Sequence, residues 1–233
     1  MTKQDDRAVL IIGASRGLGL AMAEEFAKRG WNVIGTVRAG GTTDLHELAE
    51  RNPSVRVETV DIDQSDQIAA LRSRLSGEPL DVLFVNAGTT TGDPLAQVGE
   101  VDTEEFTRVM LTNALGPMRV IEALQFNVPA DGLIGVMSSG QGSIADNVKG
   151  SREVYRASKA ALNMLMKSFA AREAHAPRAM ALLAPGWIRT DLGGPDAPFT
   201  IEEAVPKLVD VLIAKRSRPG LEYLDRFGRT VPW

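Results

Sequence analysis

Short apolar runs alternate with helical patterns along almost the whole chain of 233 residues. Runs of this kind fit strands that are buried on both faces, and parallel strands need helical crossovers between them. We therefore predict an α/β fold, a single Rossmann-type domain over residues 1–233 with a doubly wound parallel sheet of about seven strands in three α/β/α layers. The predicted strands are 9–12, 33–37, 55–60, 81–85, 133–137, 179–183 and 220–224, and the predicted helices are about 20–27, 44–51, 65–75, 103–126, 155–174 and 200–212.

Composition excludes several classes of function. The chain has no cysteine, which excludes disulfides, thiolate metal ligands and a cysteine nucleophile. With two histidines we expect no metal site, and a net charge of -4 gives no reason to expect nucleic acid as a partner. No apolar run is long enough for a signal-peptide core or a membrane span, so we expect a cytoplasmic protein with no membrane partner.

A glycine-rich turn follows the first predicted strand. Residues 13–19 read GASRGLG, and a helical pattern begins directly behind them. Glycines let a ligand approach the backbone closely, and the amides at a helix N-terminus attract phosphate. The turn therefore predicts a nucleotide-binding site, although a ligand-free tight turn would have the same sequence. Its candidate binding residues are Gly13, Ser15, Arg16, Gly17, Leu18 and Gly19.

The same turn matches the G-x-S-x-G nucleophile elbow of hydrolases, with Ser15 as the nucleophile. His175 could complete a triad, but it lies near a predicted helix end beside Pro177. The elbow would also follow the first strand, so no earlier strand-loop is available for the oxyanion hole. Nucleotide binding is the favoured interpretation.

Tyr155 and Lys159 are four residues apart and share one face of a predicted helix. A free tyrosine has a pKa of roughly 10, and a neighbouring ammonium favours the phenolate. We therefore expect Lys159 to lower the pKa of Tyr155, which would make the pair a general acid/base near neutral pH. A core tyrosine beside a solvated lysine is the alternative for such a pair taken alone.

These features together resemble the short-chain dehydrogenase/reductase family over essentially the whole chain, and within it the C-factor/sniffer-type carbonyl reductases. The resemblance implies an acid after strand three that holds the adenine, a segment supporting sheet and cofactor, and a segment lining the nicotinamide. It also implies a catalytic set of serine, tyrosine, lysine and a helper asparagine. The matching residues are Asp61 with Ile62; Asn86, Ala87 and Gly88; Pro185, Gly186, Ile188 and Thr190; and Ser139, Tyr155, Lys159 and Asn113.

Asn113 lies on the apolar stripe of a predicted long helix, and Pro117 follows four residues later. A helical proline clashes with the carbonyl four residues before it, so we expect the helix to kink and free the Asn113 carbonyl. A buried asparagine must also be hydrogen-bonded. By the family's mechanism Asn113 would hold a water that extends a proton relay from Lys159, and Lys159 would also bind the nicotinamide ribose.

The spacing between Ser139 and Tyr155 is sixteen residues, a few more than is usual in the family. We interpret residues 144–152 as a longer loop beside the substrate. A short segment rich in glycine and proline, residues 192–199, suggests an open site for modest apolar carbonyl compounds. The candidate substrate-lining residues are Thr89 to Thr91, Gly140, Gln141, Trp187 and Phe199.

The end of the second predicted strand indicates NADP(H) as the cofactor. An acid roughly 20 residues past the glycine turn selects NAD by bonding the ribose 2'-hydroxyl. Here the strand ends in Arg38, and no acid occurs until Asp44. Arg38 offers a planar fork for a 2'-phosphate, and Arg16 is placed to approach the same group.

We therefore expect an NADP(H)-dependent oxidoreductase that acts on small carbonyl or alcohol substrates, with Tyr155 as the proton donor and Ser139 orienting the carbonyl. The family resemblance also implies a homodimer or homotetramer. A cofactor-binding sensor or signalling protein with little turnover is the alternative, and nucleotide binding without turnover of any carbonyl would favour it.

Overall fold

A computed structural model of the protein describes residues 7–175 and 178–233, and its strands form one parallel sheet. The strand order is β3-β2-β1-β4-β5-β6-β7, and each neighbouring pair is parallel. The predicted doubly wound α/β fold with seven strands is thereby confirmed within these ranges. The strands are Ala8–Ile12 (β1), Asn32–Val37 (β2), Val55–Thr59 (β3), Val82–Val85 (β4), Leu133–Met137 (β5), Ala179–Ala184 (β6) and Gly220–Asp225 (β7).

Helices cover both faces of the sheet, so that alternate strand residues enter two separate cores. Val9 and Ile11 of β1 belong to one core, whereas Leu10 and Ile12 belong to the other. Residues of α1, α2 and α7 pack into the first core, and residues of α3, α5 and α6 pack into the second. The helices are Gly17–Lys28 (α1), Asp44–Arg51 (α2), Ser65–Arg74 (α3), Thr103–Met110 (α4), Gly116–Leu124 (α5), Glu153–Arg172 (α6) and Ile201–Lys215 (α7).

The long helix predicted over residues 103–126 is wrong in detail, because it is divided into α4 and α5 by a π-helical turn, Leu111–Leu115. The amide of Gly116 bonds to the carbonyl of Leu111, five residues before it. Pro117 has no N–H, so the Asn113 carbonyl lacks the usual partner four residues ahead. The backbone therefore departs from a regular α-helix at Asn113, in the form of a π turn, while the expected kink and freed carbonyl stay predictions.

The strand order reverses between β1 and β4, and this reversal creates a crevice at the carboxyl ends of the strands. The glycine turn follows β1, residues 86–88 follow β4, Ser139 follows β5 and Pro185 follows β6. Parallel pairing therefore brings segments that are distant in sequence to one edge of the sheet. Within the described ranges, no helix has both the length and the apolar character needed to cross a bilayer.

Candidate active site

The glycine turn joins β1 to α1 with almost no space for a side chain at Gly13 or Gly19, whereas Gly17 is required by its backbone conformation alone. Gly13 and Gly17 have φ values of +83° and +58°, which favour glycine. A Cβ atom on Gly19 would overlap the carbonyl oxygen of Gly13 and lie 2.6 Å from Nδ2 of Asn86. The three glycines are therefore required by the backbone path and by the close approach of the helix to the strand.

Residues 86–88 hold the ends of β1 and β4 together beneath this turn. Asn86 Nδ2 donates to the Gly13 carbonyl at 2.8 Å, and the amides of Asn86 and Ala87 donate to Ile12 at 2.9 and 3.0 Å. A Cβ on Gly13 would lie 2.9 Å from Ala87. The predicted role of the segment in supporting the sheet agrees with these contacts.

A cleft of about 650 Å³ opens beside the glycine turn. We call it the arginine cleft; it is lined by Ser15, Arg16, Arg38, Ala39, Thr43, Asp44, Asp61 and Gln67. The N-cap residue of α1, Arg16, provides no side-chain cap, so the first amides of the helix keep their affinity for an anion. Uncapped amides, a glycine turn and two arginines fit the phosphates of a nucleotide.

Three acidic groups modify this picture of the arginine cleft. Arg16 forms a 3.1 Å ion pair with Asp191, which belongs to the loop after β6. Asp44 also lines the same cleft as Arg38, although its distance from the end of the second strand had argued against a role at the cofactor site. Asp61 also lines it, and its Oδ1 accepts the Asp63 amide at 3.0 Å. The two arginines thus lie within the cleft as expected, but the three carboxylates offset their positive charge.

Asn113 is fully buried in the π turn and is completely hydrogen-bonded. Its Oδ1 accepts the Thr89 amide at 2.7 Å, and its Nδ2 donates to the Thr89 carbonyl at 2.8 Å and to Ser158 Oγ at 2.9 Å. Ser158 Oγ in turn donates to the Tyr155 carbonyl at 2.7 Å. Asn113 therefore connects the loop after β4 to the first turns of α6, which carries Tyr155.

Lys159 points from α6 toward the end of β5 and is only 3% exposed. Its Nζ donates to the Met137 carbonyl at 3.0 Å. Burial lowers the pKa of Lys159 from 10.5 to about 8, because the ammonium loses its hydration. The ammonium lies 5.8 Å from the centre of the Tyr155 ring.

Tyr155 is 7% exposed, and Ser139 is one of the groups that act on the pKa of its phenol. Burial raises the pKa of Tyr155, while the Ser139 side chain and the charge of Arg152 oppose that rise. The expectation that Lys159 lowers this pKa is therefore wrong for the structure: desolvation of the phenolate dominates, and the Lys159 ammonium is directed at Met137. Tyr155, Lys159, Ser139 and Asn113, which we call the tyrosine cluster, are nevertheless brought together as predicted.

Residues that sequence patterns did not reveal hold Ser139 in place. Ser139 Oγ accepts the Gln141 amide at 3.1 Å, and the Tyr223 hydroxyl donates to the Ser139 carbonyl. Ser138, interpreted from sequence as a simple turn serine, is buried and donates to Asn163 Oδ1 at 2.6 Å. Gln141 is local and was named from sequence for another role, whereas Tyr223 and Asn163 come from β7 and α6, so no local signal could have identified those two.

The loop after β6 carries the remaining predicted residues. Gly186 has a φ of +92°, and Ile188 pairs with Phe199 in an isolated bridge. Trp187 is 52% exposed, and its Nε1 donates to the Gly193 carbonyl at 2.6 Å. Thr190 Oγ1 accepts the Gly193 amide at 3.0 Å. The bonds of Trp187 and Thr190 thus fold the loop on itself, while Asp191 of the same loop pairs with Arg16.

Other candidate substrate-lining residues surround the tyrosine cluster. Thr89 belongs to the Asn113 network, and its Oγ1 accepts from Arg108 at 2.9 Å. Gly140 and Gln141 form a short 3₁₀ turn that begins at Ser139. Among the residues that the structure describes, no group of three or more histidine, aspartate or glutamate side chains is arranged to hold a metal ion.

A parallel sheet that reverses order beside a glycine turn, with a Tyr-x-x-x-Lys helix at the same edge, defines a class of dinucleotide-dependent oxidoreductases. A family model described as short chain dehydrogenase matches residues 7–198. The chain belongs to this family.

Particular relatives sharpen the assignment. A short-chain dehydrogenase/reductase from Burkholderia multivorans, crystallised with bound NADP, is 64% identical with a TM-score of 0.97, covering 98% of this chain and 100% of that one. C-signal from Myxococcus xanthus is 35% identical over 157 residues, which are 66% of this chain and 93% of the relative. The carbonyl reductase Sniffer of D. melanogaster is 25% identical with a TM-score of 0.88, covering 98% and 100%. The resemblance to the C-factor/sniffer-type subgroup is confirmed.

Proposed function

We propose that the protein is an NADP(H)-dependent carbonyl reductase that uses Tyr155 as its general acid/base. The observation that carries the proposal is the tyrosine cluster, in which Tyr155 is buried, Ser139 lowers the pKa of its phenol, and the buried Lys159 ammonium lies 5.8 Å from its ring centre. It lies at the same sheet edge as the glycine turn. A single domain over residues 1–233 is part of the proposal.

The nicotinamide cofactor would supply the hydride when bound, and the chain's residues would handle the proton. Tyr155 remains protonated near neutral pH because burial raises its pKa. An alkoxide is a much stronger base than a phenolate, so Tyr155 can still protonate the oxygen as the carbonyl is reduced. Ser139 would donate to that oxygen and orient it.

The Lys159 ammonium would offset part of the negative charge left on Tyr155 after proton transfer, although burial remains the larger effect on the Tyr155 pKa. Lys159 is protonated below its pKa of about 8, and its ammonium lies near the tyrosine ring. Carbonyl reduction should therefore decline as the pH rises through about 8. Asn113 would position α6 through Ser158 and anchor the relay water implied by the family, while Lys159 would also contact the nicotinamide ribose.

NADP(H) is the proposed cofactor because Arg38 and Arg16 line the cleft beside the glycine turn. The relative from Burkholderia multivorans was crystallised with NADP, which supports the same choice. Gly13, Gly17 and Gly19 would hold the phosphates. The segments at Asp61, at Asn86 and at Pro185 would hold the adenine and nicotinamide portions.

We also propose self-association through α4, α5 and α6. Phe106, Leu115, Met164 and Leu165 are apolar side chains of this helical region and are exposed in the single chain. Burying them between copies would remove apolar area from water. Sedimentation analysis of the purified protein measures whether a homodimer or homotetramer forms.

Replacement of Tyr155 by Phe tests the proposal. We expect turnover of an aldehyde panel to fall by roughly 10²–10⁴-fold, because the proton donor is removed. NADPH binding, followed by its fluorescence, should change little, since the arginine cleft is unaltered. Residual turnover above a tenth of the wild-type rate would contradict the acid/base role, and NADPH binding without turnover of any carbonyl would favour the sensor alternative.

A further inference from the structure

The backbone just before Tyr155 adopts an unfavourable conformation. Ser151 and Arg152 have φ values of 57° and 53°, and they are the non-glycine residues of the described ranges with positive φ. Side chains rarely adopt this left-handed region, and each such residue costs free energy unless the surroundings require it. Consecutive residues of this kind beside a reactive tyrosine point to a functional constraint.

Arg152 is also poorly placed for helix stability. It occupies the N-cap of α6, where it forms no side-chain cap and where the helix dipole disfavours a positive charge. Glu153, the acid of the first turn, accepts the Val98 amide at 2.9 Å. The position therefore combines an unfavourable backbone with an unfavourable charge.

The guanidinium of Arg152 packs on Tyr155, with its carbon 5.0 Å from the ring centre. This cation–π contact uses the flat face of the guanidinium, but it provides no hydrogen-bond acceptor for the N–H groups at its edge. Nε and Nη2 of Arg152 are buried and have no hydrogen-bond partner among the described residues. These two nitrogens form the edge of the guanidinium that binds a carboxylate through two parallel bonds.

In the described part of the chain, Gln141, two residues after Ser139, has an unpartnered hydrogen-bond acceptor where Arg152 has unpartnered donors. Its Oε1 is buried and likewise lacks a partner among the described residues. Buried polar groups are normally hydrogen-bonded, so each orphaned group calls for an explanation. The donors of Arg152 and the acceptor of Gln141 flank Tyr155 and Ser139 in sequence, and both belong to the segment that carries the proposed carbonyl site.

We propose that Arg152 is a specificity-determining residue that binds a carboxylate of the substrate, so that the preferred substrates are aldehydes or ketones that carry a carboxylate. The inference rests on the proposed function and names its substrate class. The carboxylate is unchanged in the reaction: hydride reaches the carbonyl carbon and a proton reaches its oxygen. This differs from the sequence-based expectation of modest apolar carbonyl compounds, which stays a prediction.

Arg152→Asn is the variant of choice, because asparagine removes the guanidinium yet tolerates the left-handed backbone. The substrates are 2-, 3- and 4-carboxybenzaldehyde, each compared with its methyl ester at equal NADPH. In the wild type at least one acid should exceed its ester in kcat/KM by tenfold or more, as expected for a bidentate charged pair. The acid-to-ester ratio should fall to about one in Arg152→Asn.

Lys149→Gln provides the matched control, since it removes one positive charge from the exposed part of the same loop. Its acid-to-ester ratio should stay at the wild-type value, which separates local recognition from a general charge effect. A wild-type ratio near one for all three isomers, or an unchanged ratio in Arg152→Asn, would overturn the inference.

Calorimetric titration separates this inference from the proposed function. Benzoate should bind the wild-type protein, Arg152→Asn should bind it at least tenfold more weakly, and benzamide should bind neither. If no aldehyde is reduced, the carbonyl reductase proposal fails and the benzoate titration alone decides the anion site. Equal benzoate affinity in both proteins, or none in either, would then overturn it.

Discussion

The arginine cleft and the tyrosine cluster lie on one edge of the sheet but are built in different ways. The cleft depends on glycine backbone and on exposed charges such as Arg16, which pairs with Asp191. The cluster depends on buried side chains, and Lys159 and Asn113 are held there by carbonyl and amide groups of distant segments. Solvated charges cost little and act weakly, whereas a buried charge costs free energy and acquires a shifted pKa.

The largest expected effect concerns the buried charge. Lys159→Met should reduce carbonyl turnover by at least about 100-fold, because the acid/base pair is broken. The same variant should be more stable at pH 7 by on the order of 2 kcal/mol, since a buried ammonium is replaced by an apolar side chain. Kinetics and urea unfolding at pH 7 measure the two effects.

The pH dependence sharpens this test. The folded pKa of Lys159 is about 8 and its reference value is 10.5, so between these values the unfolded chain binds more protons than the folded one. The free energy of unfolding of the wild type should therefore rise across that window, and below pH 8 the cost of burial is fully present. Lys159→Met should lack this rise, whereas Lys167→Met, on an exposed part of α6, should retain it. A lower stability of Lys159→Met at pH 7 would contradict the comparison.

The glycine turn tests the other region. Gly19→Ala should lower stability by about 1–3 kcal/mol, because its Cβ would overlap the Gly13 carbonyl and crowd Asn86. NADPH binding should weaken as the turn shifts, which calorimetry measures. Gly99→Ala is the matched control, since its Cβ would meet nothing within 4 Å. Equal stability and NADPH affinity in Gly19→Ala and the wild type would show that the turn has more freedom than its contacts indicate.

The smallest expected effect concerns the exposed charge. Arg38→Leu should reduce the preference for NADPH over NADH by about tenfold, which is the lower end of what a charge-assisted hydrogen bond contributes. The effect is small because Arg38 is exposed to solvent and because Asp44 lines the same cleft. Affinities for both reduced cofactors are measured in the wild type and in Arg72→Leu, which loses the same charge from exposed α3. Equal wild-type affinities, or an unchanged ratio in Arg38→Leu, would refute the NADP(H) assignment.

Much of the fold and of the site was predictable from residue patterns. The length of the apolar runs and their alternation with helical patterns identified the strands. The glycine turn and the Tyr155–Lys159 spacing are local features of the chain, so they too could be found from the sequence. The division of the helix at Asn113 was only partly predictable, because Pro117 signals a defect but does not specify a π turn. The direction of the Tyr155 pKa shift was mispredicted, since spacing shows neighbours on a helix but does not measure desolvation.

The sequence by itself determined a doubly wound sheet, the place of the glycine turn and the residue types of the tyrosine cluster, because these follow from backbone sterics and local periodicity. Only the tertiary structure decided how that cluster is held. Asn113 reaches Ser158 across 45 residues, and Lys159 reaches Met137 across 22. The tertiary structure also decided that the Arg152 guanidinium lies against the Tyr155 ring and that two of its nitrogens are buried. Burial and hydrogen bonding between distant segments depend on how the layers pack, and packing sets the free energies that local patterns do not contain.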